Sequence, residues 1–113
     1  MVYPQTYSRR RNHRFDRPEF VVTMNGVSGR SANWSLGGIA LRFDDIETAQ
    51  LAPDMPISGN LGPAAQDSRY DFEGRVVRVD RSRREVAVEF SRLSRGAIML
   101  FIDEFRDMIG GAA

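Results

Sequence analysis

The sequence predicts an all-β dominated domain, a six-stranded antiparallel β-barrel with one C-terminal α-helix, and three observations carry that prediction. Short runs of β-formers with period-two alternation recur along the chain, separated by Gly, Asn and Asp turn signals. Asn25-Gly26 stands between two such runs, the strongest local signal for a two-residue hairpin. The last apolar stretch changes to helical period, which calls for one terminal helix packed on the sheet.

Glu19 to Met24 is rich in β-formers, with Phe20, Val21, Val22 and Thr23 in a row. If Asn25 and Gly26 are the turn, Met24 faces Val27, Arg30 lies opposite Val21 and Asn33 opposite Pro18; a bulge at Gly29 would shift this register by one. Gly38 to Phe43 alternates, with Ile39, Leu41 and Phe43 on one face and Ala40 and Arg42 on the other, as in a half-buried strand. Asp44 to Pro56 reads as a connection, Pro56 to Leu61 as a short strand and Gly62 to Ser68 as a loop. Tyr70 to Val79 and Arg84 to Phe90 form a second hairpin around Asp80 to Arg83, with Val86, Val88 and Phe90 inward. Gly74 interrupts the first of these strands and marks a bulge or corner. Ala97, Ile98, Phe101, Ile102, Phe105 and Ile109 then recur at helical spacing, with Ser94 as N-cap and Gly110-Gly111 as the stop. Met99 and Leu100 widen that apolar face, so the helix either fills a broad barrel end or meets a partner.

At 113 residues the chain suffices for one core, which buries roughly two-thirds of the unfolded surface at this size. The expected organisation is a flexible tail over residues 1–8, a domain over 9–109 with a basic arm at 9–17 and the helix at about 94–109, and a tail over 110–113. No apolar run approaches the ~18 residues of a membrane span, and no secretory leader is visible at Met1 to Ser8. The expected location is cytoplasmic. The lack of cysteine removes disulfides and thiolate chemistry, and His13 alone cannot supply a histidine cluster for a metal. The carboxylates show no spacing to a nucleophile or to histidine, so an enzyme is the least supported class.

The net charge of +1 is unevenly spread. Residues 9 to 17 hold five Arg against Asp16, a net +4, while the remaining eleven Arg face fourteen acids, a net −3. All sixteen cations are arginine, whose planar fork suits bidentate contacts to phosphate or to a guanine edge. Within the arm, Arg10 and Arg14 form an Arg-x-x-x-Arg pair that also fits a solvated basic tail. After it comes Asn33-Trp34-Ser35-Leu36-Gly37-Gly38. On an extended segment Asn33 and Ser35 point the same way, able to bond one ligand edge, and Trp34 points oppositely, into the core. Gly38, with Gly37, omits the Cβ where a ligand approaches the backbone or the chain turns; an Asx- or Ser-stabilised turn without ligand uses the same residues. Arg14 lies four residues before Pro18, within about 14 Å even when extended, so the arm reaches this turn.

These two motifs together resemble the PilZ domain, a bacterial receptor module for cyclic di-GMP. That family pattern, Arg-x-x-x-Arg followed by Asp/Asn-x-Ser-x-x-Gly, is met by Arg10, Arg14, Asn33, Ser35 and Gly38. The stretch from Gly74 to Phe90 is similar to the family's closing hairpin. The resemblance implies a stand-alone, split-barrel member of six strands with a terminal helix. It implies Arg10 and Arg14 on phosphates and guanines, Asn33 and Ser35 on a guanine edge, and Gly37 and Gly38 allowing close approach. Arg9, just before the first motif arginine, is the position associated with an intercalated ligand dimer. No cofactor is expected beyond the ligand, and the implied output passes to a protein partner controlling motility, exopolysaccharide or biofilm. Two other readings use the same features: a basic-armed barrel for single-stranded nucleic acid, disfavoured by the −3 body, and a protein-interaction module, or homodimer, through the apolar helix.

Overall fold

A tight hairpin opens the barrel. β1 (Phe20–Met24) and β2 (Val27–Trp34) pair with Met24 opposite Val27 and Val21 opposite Arg30, the register expected from Asn25-Gly26. Asn25 and Gly26 take positive φ of 52° and 76°, as a type I′ turn requires. The computed structural model describes residues 14–110. The expected tail at 1–8, the arm residues Arg9, Arg10, Arg11 and His13, and residues 111–113 lie outside the described residues.

The chain continues through β3 (Gly38–Arg42), a short helix α1 (Ile46–Ala49), β4 (Pro56–Pro63), β5 (Tyr70–Asp80), β6 (Glu85–Leu93) and α2 (Arg95–Gly110). The strands close into a barrel in the order β1-β2-β3-β6-β5-β4, with β4 pairing back onto β1 so that no edge is left open. Phe20, Val22, Met24, Ile39, Leu41, Val76, Val86 and Val88 fill its interior.

Three local expectations are corrected. The register of the first hairpin does not carry on to place Asn33 against Pro18, because Phe15 bridges to Trp34 instead. No bulge occurs at Gly29, which pairs in register with Val22. Its small size serves packing, since a Cβ there would come 2.8 Å from the Phe43 ring. The stretch from Asp44 to Pro56 is more than a connection: Ile46 of α1 and Leu51 after it are buried in the core cluster.

Gly74 does sit beside a register shift, between Glu73 and Gly74. Ser94 caps α2, its Oγ accepting from the Ala97 amide at 3.2 Å. Ala97 and Phe101 are buried and Leu100 packs against the core, but Ile98 and Met99 are 41% and 50% exposed. The sheet-facing stripe is therefore narrower than the sequence pattern, and the side chain of Ile109 lies outside those described. Phe101 reaches the ring of Trp34 at 5.3 Å and of Phe20 at 5.2 Å, which fastens the helix over one end of the barrel.

Candidate functional site

The site begins with a change of parity in β2. Val22 is buried opposite Gly29, so continued alternation would send Ser31 and Asn33 inward and Trp34 outward. Between Ser31 and Asn33 the pairing with β3 shifts by one residue. This bulge reverses the order: Trp34 turns into the core with no exposed surface, and Asn33 turns out. The Trp34 indole N–H is satisfied by the Pro18 carbonyl at 3.1 Å.

Arg14 is held against the outer side of this strand by its neighbour. Phe15 exchanges two backbone hydrogen bonds with Trp34, each 2.8 Å, and its ring packs at 5.0 Å from Trp34 and 5.7 Å from Phe105 of α2. Arg14 is thus stapled to the barrel by the aromatic residue that follows it. Its Nε donates to Asn33 Oδ1 and its Nη1 to Ser35 Oγ at 3.4 Å. Ser35 is buried beneath the guanidinium, and its Oγ also accepts from the Gly37 amide at 3.2 Å. The turn is closed by the Ser35 amide on the Gly38 carbonyl at 2.8 Å, and the Gly37 carbonyl accepts from the Phe90 amide at 2.9 Å. A Cβ on Gly38 would stand 2.4 Å from the Val88 carbonyl oxygen, so the approach of β3 to β6 alone demands glycine there.

Arg14, Asn33, Ser35, Gly37 and Gly38, five of the seven residues singled out in the sequence, line one open cleft of about 520 Å³, a size suited to a small ligand. Arg9 and Arg10 lie outside the described residues. The opposite wall comes from the second hairpin, with Val77 and Arg78 of β5 and Ala87 and Glu89 of β6, none of which sequence reasoning singled out. Burial, and then the like charge of Arg78, hold the Arg14 guanidinium below its ordinary pKa. Among the described residues the ion pairs are Arg30–Glu19, Arg42–Glu85 and Arg81–Glu47, so neither cleft arginine is matched to a carboxylate. A cleft carrying two such cations beside amide and hydroxyl groups is suited to an anionic ligand with a polar edge. A slightly larger depression, about 560 Å³, lies over β4 and β5, lined by Asn60, Asp71, Glu73 and Arg92. Its balance of acids over bases does not suit phosphate. Among the described residues no group of three or more His, Cys, Asp or Glu is placed to hold a metal ion, and no helix is long and apolar enough to cross a membrane.

Comparison with known proteins gives the same frame. The family model described as PilZ domain matches residues 8–105. Among solved structures, one described as the Bacillus subtilis inhibitor of motility, MotI/DgrA, is similar with a TM-score of 0.67 at 20% sequence identity. The match covers 89% of this chain and 52% of that one, so the present chain spans about half the length of that protein. At this identity the likeness concerns the fold. No curated protein matches the chain.

Proposed function

Because the chain belongs to the PilZ family, we propose that it is a non-enzymatic receptor for cyclic di-GMP whose ligand rests in the cleft between the Asn33 to Gly38 turn and the β5–β6 wall. The observation that carries this reading is the placement of Arg14, an exposed cation without a carboxylate partner among the described residues, directly over Asn33 and Ser35. A phosphate there replaces solvent around a guanidinium that has already lost part of its hydration, and the amide and hydroxyl remain for a guanine edge. Arg10, with Arg9, supplies the second motif cation from the arm, and Arg9 favours an intercalated ligand dimer. Charge-assisted hydrogen bonds contribute roughly 1.5–3 kcal/mol each, so four or five give about 6–15 kcal/mol gross before the cost of association. Micromolar binding, near −8 kcal/mol, fits within that range.

Binding passes to a protein partner through a change at the surface beside the cleft. Ile98 and Met99 of α2 offer an exposed apolar contact for such a partner, for which Met99→Glu is the cleaner probe, since Leu100 packs against the core. Isothermal titration with cyclic di-GMP tests the central claim. Wild type is expected to bind in the micromolar range, and Arg14→Ala, losing about 2–3 kcal/mol, to bind ~30- to 150-fold more weakly. No heat from wild type at tens of micromolar rules the reading out.

A further inference from the structure

Val76 is buried in the barrel, so alternation along β5 would expose Val77 and drive Arg78 back inside. The strand does otherwise. Val76 pairs with Val88 and Arg78 with Ala87, the next residue of β6, so two residues of β5 oppose one step of its partner. Val77 and Arg78 are consequently both exposed, and Val79 returns to pack against the core. A bulge of this kind bends a strand and re-aims a side chain, and here the re-aimed side chain is the only charged one among Val76 to Val79.

The destination of that side chain is the cleft already described, across from Arg14. Resting on the cyclic di-GMP reading of that cleft, we propose that Arg78 is a further ligand-binding cation, outside both sequence motifs, which holds a phosphate of the ligand from the β5 side while Arg14 holds it from the β2 side. Three observations converge on it. Arg78 lines the cleft and acts on Arg14 as a neighbouring like charge. No ion pair among the described residues engages either arginine. Two unmatched guanidiniums facing one space repel each other until an anion lies between them, and an arginine fork supplies two parallel donors to one phosphate.

The test is a titration of wild type, Arg14→Ala, Arg78→Gln and Arg78→Lys with cyclic di-GMP, with thermal denaturation of each. Arg78 is exposed, so all four are expected to fold. Arg78→Gln is expected to weaken binding by about 10- to 100-fold, the loss of one charge-assisted contact, and Arg78→Lys to recover part of the loss by restoring charge without the fork. Wild-type binding that is sensitive to Arg14→Ala but unchanged in Arg78→Gln overturns the assignment of Arg78 and leaves the receptor reading standing. Absence of binding by wild type overturns both.

Discussion

The two faces of β2 at its last turn carry opposite solutions to the same problem, how to place a large side chain beside a closed barrel. Inward, Trp34 is wholly buried, its rings meet Phe15, Phe20 and Phe101 at 5.0–5.3 Å, and its one polar atom is satisfied by Pro18. Outward, Arg14 lies over Asn33 and Ser35 with its charge unmatched by any carboxylate among the described residues. The inner face is complete as it stands, whereas the outer face leaves a cation whose counter-charge the proposed ligand would supply. On the proposed reading, Trp34, which serves stability, and its chain neighbours Asn33 and Ser35, which serve binding, are separated only by the alternation of the strand.

The sharpest way to break this comparison is to truncate each side in turn. Trp34→Ala removes the centre of the aromatic cluster and is expected to cost about 3–5 kcal/mol, a fall in Tm of roughly 10–25 °C for a domain of this size. Arg14→Ala is expected to move Tm by only a few degrees, since it removes two polar contacts and relieves a like-charge neighbour. Thermal denaturation followed by circular dichroism reads both. A Tm loss in Arg14→Ala as large as that in Trp34→Ala would show the outer face to be structural.

Much of this division is legible in the sequence, and the remainder is hidden for a physical reason. Asn25-Gly26 sets the hairpin register because its turn admits only one geometry, and Trp34 reads as core because its neighbours on both sides are polar. Arg14 of the first motif does reach the second, brought there by Phe15 rather than by the expected pairing of Asn33 with Pro18, and Arg10 lies outside the described residues. Arg78 escapes notice because strict alternation assigns it to the interior, where no lone arginine is tolerated. Read with that cost in mind, the pattern Val76-Val77-Arg78-Val79 is itself a bulge signal. Ile46 and Leu51 escape because single apolar residues in a polar connection carry no period.

Ser35 belongs to both faces, and its removal gives an intermediate effect. Its Oγ is the acceptor for the Gly37 amide inside the turn and for Arg14 above it. Ser35→Ala leaves that amide without its acceptor in a partly buried turn, at a cost of about 1–2 kcal/mol in chemical denaturation. The same substitution frees one end of Arg14 and removes a donor from the proposed guanine edge, so cyclic di-GMP affinity is expected to fall about tenfold. Loss of affinity with full stability would assign the hydroxyl to the ligand alone.

The smallest effects separate two clusters of like charge. On α2, burial first and then Asp107 and Asp103 push the Glu104 carboxyl above its ordinary range. The folded chain then holds that proton more tightly than the unfolded one. The stability from this shift is present in full below the unfolded pKa and is lost as pH rises through the folded value, so ionised Glu104 opposes folding at neutral pH. Glu104→Gln is expected to stabilise the protein by a few tenths of a kcal/mol at pH 7, reduced by solvent screening, with the gain fading below about pH 4 and ligand affinity unchanged. In the cleft, Arg78→Gln likewise removes a like charge from beside Arg14, and a comparable small rise in Tm is expected without ligand. Here, however, the gain is expected to come with weaker binding, because repulsion between two cations at the proposed site is the counterpart of their joint attraction for an anion. Denaturation of both variants with and without cyclic di-GMP distinguishes them: the ligand should raise the Tm of Glu104→Gln as it does that of wild type, and raise that of Arg78→Gln less.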